Sequence, residues 1–187
     1  MTGWWLASYL VLWGLLVLVC TLLLLVLRQV GLIYLRGGTG LVQLDDGPEV
    51  GTPVRPFQEL DDRSGEPVQF PVPGVRRTLI AFVSGTCGVC KDAVTGIRSA
   101  MRAGHDFGVL FIADGSPEDH HELRQSARGL GPFVTSLRRQ RQLGITNLPY
   151  ALLVDEGGIL LAKGVLNSVI DVDDLLAAAD RQLSAHD

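Results

Sequence analysis

Apolar and polar positions divide the chain into two unlike parts. From Trp4 to Leu27 no charged residue occurs, and Leu, Val and Trp dominate 24 consecutive positions. About 20 apolar residues are enough for a helix to cross the hydrocarbon core of a bilayer. Ser8, Gly14, Cys20 and Thr21 interrupt the run, but they do not form the polar stripe of a helix on a soluble domain. The pattern predicts a membrane-spanning helix over 4–27, preceded by a flank at 1–3. A cleavable signal peptide fits less well. The run exceeds the usual ~7–15-residue apolar core, no Lys or Arg precedes it, and no small-residue cleavage motif follows. Trp4, Trp5, Tyr9 and Tyr34 suit headgroup depth.

Beyond the helix the period changes. Residues 28–56 read as a juxtamembrane segment and linker. Positions 36–56, rich in Gly, Pro and Asp with no sustained period, read as a tether that lets a domain stand off the membrane. The domain is expected over 57–187. "FQELDDRSGEPVQF" predicts two short strands joined at Asp62-Arg63-Ser64-Gly65. "TLIAFVS", 78–84, and "FGVLFIAD", 107–114, are continuous apolar runs of strand length, the mark of buried strands. Between them Val89, Ala93, Val94, Ile97 and Met101 recur at three or four, marking one helical face. A short helix through "PEDHHELRQSA", a brief strand at "FVTS" and a helical turn near 137–143 follow. "PYALLVDEGGILLAKG" predicts a hairpin turning at Glu156-Gly157-Gly158. "DVDDLLAAADRQL" predicts a last helix, with Asp173 and Asp174 at its start. The order β-β, β-α, β-α, β-β-α predicts an α/β domain whose central mixed sheet is flanked by helices.

Charge changes this picture little. Sixteen basic and twenty acidic residues leave a net −4, without a basic patch, so nothing points to nucleic acid. Arg28 and Arg36 follow the helix, and by the positive-inside rule they place the domain in the cytoplasm.

The candidate chemistry lies in "SGTCGVCK", 84–91. Cys87 falls at the expected strand-to-helix junction and Cys90 one turn further. A thiol at a helix start can be drawn below its free value of ~8.5, because the first-turn N–H groups favour an anion. The i, i+3 spacing brings both sulfurs to one face, within bridging reach. On this reading Cys87 is the exposed attacking thiol and Cys90 the buried resolving one. Two other readings stand beside it. A structural zinc site needs four ligands, and the only other cysteine, Cys20, lies in the membrane span. Two inert core cysteines are the other reading. No metal and no cofactor are expected. Pro149, opening a strand in "TNLPYALLVDEGG", is the second candidate piece. A cis bond there would turn the backbone of Leu148 toward the sulfurs, where it could hydrogen-bond an extended substrate. A trans proline in an ordinary turn is the alternative.

The domain resembles the membrane-tethered, TlpA-like disulfide oxidoreductases of thioredoxin-like fold, and more closely the MauD proteins of methylamine utilisation. "LRQVGLIYLR" at the anchor exit, "FVSGTCGVCK" at the site and "LPYALLVDEGGILLAKGVLNS" near the end carry the likeness, over about residues 26–187. The resemblance implies that Cys87 and Cys90 form the redox pair, that Pro149 is the cis-proline, and that the protein helps a periplasmic dehydrogenase subunit with many disulfides to mature. It implies client proteins with thiols or disulfides and an integral-membrane or soluble redox partner. It also implies a single-pass protein whose domain faces the extracytoplasmic side, against the vote of Arg28 and Arg36. Three departures stand out. Gly88 replaces the proline of C-P-x-C, Gly85 replaces another common proline, and Ala81 stands where many thioredoxins carry a buried acid. Two glycines should loosen the loop, and loss of the acid should slow resolution.

Other groups read as less specific. His120-His121, with Glu118, Asp119 and Glu122, reads as a solvated helix face, since adjacent helical side chains diverge too far to share one ion. Lys91 could support a thiolate, or simply lie on the helix surface. Arg138, Arg139 and Arg141 form a basic spot of exposed charge. Cys20 reads as packing in lipid or against a partner helix, with lipidation as the alternative. Ser84-Gly85-Thr86-Cys87 matches the end of a peroxiredoxin-type motif, although Ile80 stands where its proline belongs. A peroxiredoxin-like thiol peroxidase and a non-enzymatic membrane assembly module are therefore the alternatives to a thiol–disulfide oxidoreductase.

Overall fold

A computed structural model describes residues 3–37, 46–168 and 170–184, and the chain divides into two units, Met1–Gly40 and Leu41–Asp187. In the first, helix α1 runs Gly3–Gly37. It passes the expected end at Leu27 because "RQVGLIYLR" holds no proline and few poor helix formers. The first strong breaker is the pair Gly37-Gly38. The first part of the juxtamembrane segment and linker expected over 28–56 is therefore helical, as far as Gly37. The part Gly3–Leu25 is long and apolar enough to cross a bilayer and buries nothing against protein. Its hydroxyls are satisfied internally: Ser8 donates to the Trp5 carbonyl at 3.0 Å and Thr21 to that of Val17 at 2.8 Å. Lipid demands this, because it offers no other partner. Residues 38–45 of the expected tether, and the side chains of Arg28, Tyr34 and Arg36, lie outside the described residues.

The second unit holds a five-stranded sheet in the order β5-β4-β3-β6-β7. Strands β3 (Arg77–Ser84), β4 (Gly108–Asp114) and β5 (Phe133–Thr135) are parallel, while β6 (Tyr150–Asp155) and β7 (Leu160–Val165) form the antiparallel hairpin beside β3. Helices α2 (Cys90–Arg102), α3 (His121–Ser126), α4 (Leu137–Gln142) and α5 (Ile170–Ser184) connect and follow the strands. The central strands are apolar on both faces because both faces are covered. On one side Leu79, Ala81, Val83, Phe111 and Ala113 meet Ala93, Val94 and Ile97 of α2 and Leu175 and Leu176 of α5. On the other, Ile80, Phe82, Leu110, Ile112 and Leu152 meet Val54, Phe57 and Phe70. Each fully buried Leu, Ile or Phe contributes roughly 1.5–3 kcal/mol.

The second face is covered largely by non-helical chain. A separate hairpin, β1 (Phe57–Leu60) with β2 (Pro67–Phe70), stacks Phe57 on Phe70 with ring centroids 5.0 Å apart. Ahead of it, residues 46–56 are no loose tether. Gly51 N–H donates to Leu160 O at 2.8 Å, Leu160 N–H to Thr52 O at 3.0 Å, and Val54 N–H to Gly158 O at 2.8 Å. This stretch is a strap laid along β7, and its own Val54 is buried. Gly and Pro content suggested flexibility, but the backbone bonds to β7 are invisible to local composition.

Candidate active site

The site gathers at the C-terminal end of β3. Its last residue, Ser84, leads into a turn in which Cys87 N–H donates to Ser84 O and Cys90 N–H to Cys87 O, both at 3.2 Å. Helix α2 begins at Cys90, with Val89 as its N-cap. Cys87 therefore stands in the turn ahead of the helix, and Cys90 opens the helix rather than lying a turn inside it. Both are free thiols; Cys87 is half-buried and Cys90 fully buried. Ser84 N–H points at Cys90 Sγ, 3.4 Å away. Burial above all pushes the Cys90 thiol up, and the hydrogen bond with Cys87 adds to this. The Ser84 N–H opposes the shift, while the Asp114 carboxylate raises it further through space. Cys90 is thus a protonated thiol at neutral pH, held behind a more accessible partner.

The Leu148–Pro149 bond is cis, and the Leu148 carbonyl oxygen lies 3.9 Å from Cys87 Sγ. Leu148 packs against both core clusters. The fold therefore brings together Cys87, Cys90, Leu148 and Pro149 from segments 61 residues apart. Lys91 is engaged elsewhere, paired with Glu122 of α3. Arg139 is not merely exposed charge: its Nε donates to Glu59 Oε1 at 2.6 Å and its guanidinium lies 4.8 Å from the centroid of Phe57.

Two features escape a reading of the sequence. His120 is no part of a solvated face: it is 1% exposed, 6.0 Å from the Phe133 ring centroid, with neither ring nitrogen hydrogen-bonded among the described residues. Only His121 points outward, to Gln125. The second concerns Gly85. A Cβ built there would stand 2.0 Å from Asp119 O and 2.8 Å from His120 Nδ1, whereas one at Gly88 would meet nothing within 4 Å. Gly85 is thus a close-approach glycine that lets α3 and its buried histidine dock beside the cysteine turn, not a loosening of the loop. Among the described residues, no cluster of three or more His, Cys, Asp or Glu could hold a metal ion.

No family model matches the chain. Methylamine utilization protein MauD of Methylorubrum extorquens is 35% identical over 176 residues, 92% of this chain and 85% of the relative. MauD of Paracoccus denitrificans is 34% identical over 182 residues, 95% of this chain and 90% of the relative. Among solved structures, the thioredoxin domain of a thiol-disulfide oxidoreductase from Bacteroides vulgatus superposes with a TM-score of 0.58 at 17% identity, covering 72% of this chain and 97% of that one. Peroxidoxin BcpB from Mycobacterium tuberculosis superposes with a TM-score of 0.59 at 15% identity, covering 71% of this chain and 97% of that one. At such identities these two neighbours establish the thioredoxin-like fold, and the fold alone.

Proposed function

The chain belongs to the MauD family, and we propose that it is a membrane-tethered thiol–disulfide oxidoreductase working through Cys87 and Cys90. The observation that carries this reading is the half-buried Cys87 sulfur facing the Leu148 carbonyl ahead of cis-Pro149, with Cys90 buried behind it. In the reducing direction the Cys87 thiolate attacks one sulfur of a client disulfide, and the client's other sulfur leaves as a thiolate. Cys90 then attacks the Cys87 sulfur of the mixed disulfide, closing the Cys87–Cys90 bond. The proton it gives up passes to the departing client thiolate, directly or through water. Two electrons move from the pair to the client. The reverse sequence oxidises a client dithiol. Leu148 holds an extended client backbone beside the sulfurs.

Clients are proteins with thiols or disulfides; the family resemblance implies a dehydrogenase subunit among them, and the relatives are named for methylamine utilization. Helix α1 is the single-pass anchor. The domain works on the extracytoplasmic side, because stable disulfide chemistry belongs to oxidising compartments, and an integral-membrane or soluble partner exchanges electrons with it. The peroxidase reading lacks the proline of its motif, Ile80 standing in its place, and the Ser84 hydroxyl it would use is paired with that of Thr86 at 3.0 Å. The test is a Cys90→Ala variant in cells. It should accumulate mixed disulfides on Cys87, visible by non-reducing electrophoresis, and a variant that traps nothing would contradict the reading.

A further inference from the structure

The strap that begins at residue 46 does more than cover the sheet. The Asp46 carboxylate accepts four kinds of hydrogen bond from two consecutive residues: the Thr146 N–H at 3.0 Å, the Thr146 hydroxyl at 2.9 Å, the Asn147 N–H at 2.8 Å and the Asn147 side-chain amide at 2.9 Å. These residues immediately precede Leu148 and cis-Pro149. The Asp46 backbone carbonyl accepts from the Tyr150 hydroxyl and from Lys163 Nζ, each at 3.0 Å. Lys163, itself buried in β7, also reaches Gly47 O at 3.4 Å. Gly47 N–H donates to Gly144 O at 3.2 Å. Gly47 suits glycine: its φ of +77° would strain any other side chain, and a Cβ there would press on Ile145 Cδ1 at 2.8 Å. Chain on both sides of the Leu148–Pro149 pair is thus tied to Asp46 and Gly47, while among the described residues neither Leu148 nor Pro149 hydrogen-bonds to them.

We infer that Asp46 is a positioning residue for the Leu148–Pro149 loop, so that the strap entering the domain from the anchor sets how a client backbone is held against Cys87. This rests on the reading of Leu148 and Pro149 given above. Asp46 touches neither cysteine. Cys87 and Cys90 are held by the end of β3 and the start of α2, and the strap's described hydrogen bonds stay within it or go to β6, β7, the turn between them and the loop ahead of β6. Its effect should therefore fall on client binding and spare the intrinsic reactivity of the thiols. The carboxylate is also suited to permanent service. Burial opposes its ionisation, but the hydrogen bonds from Asn147 and Thr146 outweigh that and hold it below the usual carboxylate range. The clamp is complete above that range and lost only as pH falls through the lowered value. The polar groups facing Asp46 from β6 and β7, Tyr150 and Lys163, meet its carbonyl rather than its carboxylate.

The test uses reduced full-length protein in detergent and two substrates: an extended peptide carrying a mixed disulfide, and a small aromatic disulfide with no backbone to lie along Leu148. Asp46→Ala should raise the half-saturating peptide concentration about tenfold, the effect of losing about 1.4 kcal/mol of peptide binding. The maximal rate and the rate with the small disulfide should stay within about twofold of wild type. Asp46→Asn keeps an acceptor oxygen and should fall between the two. Thr146→Val removes one donor without touching the strap, and should raise the half-saturating concentration by about two- to threefold even if Asp46→Ala folds poorly. Equal losses with both substrates, or peptide saturation unchanged in all three variants, would overturn the inference. A wild type that reacts with neither disulfide would instead remove the reading of the cysteines beneath it.

Discussion

At the scale of single residues, the site is a contrast between two thiols and two glycines. Cys87 is half-buried and Cys90 fully buried, so the proposed function gives attack and resolution to different sulfurs. That division is what the Cys90→Ala trap exploits. The glycines that depart from the family pattern have opposite explanations. At Gly88 there is open space, and Gly88→Ala should cost little; at Gly85 a side chain would strike the Asp119 backbone. Gly85→Ala should therefore destabilise the domain by about 1–3 kcal/mol, the usual cost of forcing atoms into a packed space. Urea unfolding of the two variants side by side measures this, and equal midpoints would contradict the docking described for α3. Neither His120 nor the need for Gly85 was legible in the sequence. His120 stands beside His121 among acidic residues, and nothing local distinguishes the inward histidine from the outward one. The spacing of Cys87 and Cys90 was legible because it is a local, three-residue relation after an apolar run.

At the scale of elements, the strands, the α2 face and the β6–β7 hairpin could be read from period and turn residues alone, since each is fixed by contacts a few positions apart. What joins them could not. The strap over 46–56 has a linker's composition, and its hold depends on Asp46 meeting Thr146 and Asn147, 100 and 101 positions away. The β1–β2 hairpin is fastened in a similar way. Asp61 Oδ1 accepts from Phe133 N–H at 3.3 Å and Asp62 Oδ1 from Thr135 N–H at 3.2 Å, while Asp62 N–H donates to Phe133 O at 2.8 Å. These bonds occupy the outer edge of β5, which would otherwise offer unpaired groups to a second chain. Asp62→Ala leaves Thr135 N–H without its acceptor and should cost about 1–3 kcal/mol. It should also promote self-association, read by unfolding midpoints and by light scattering. A variant as stable and as monodisperse as wild type would show that the edge is protected in some other way.

At the scale of the whole molecule, the sequence separates an apolar anchor from a thioredoxin-like domain, and each can be understood by itself. The helix satisfies its own hydroxyls, and the domain buries two apolar faces of one sheet. The side of the membrane decides which redox pool feeds the cysteines, and here family resemblance opposes the arginines after the helix. Extracytoplasmic placement predicts that an impermeant maleimide labels Cys87 in intact cells; labelling only after lysis would move the domain to the cytoplasm and its chemistry to reduction. The central claim, that Cys87 and Cys90 form one working pair with a half-buried and a fully buried member, is tested most directly by differential alkylation read by mass spectrometry. The reduced protein at neutral pH should be modified at Cys87 well before Cys90, and mild oxidation should protect both by a single Cys87–Cys90 bridge. Equal, slow modification of the two, or oxidation that never joins them, would contradict it.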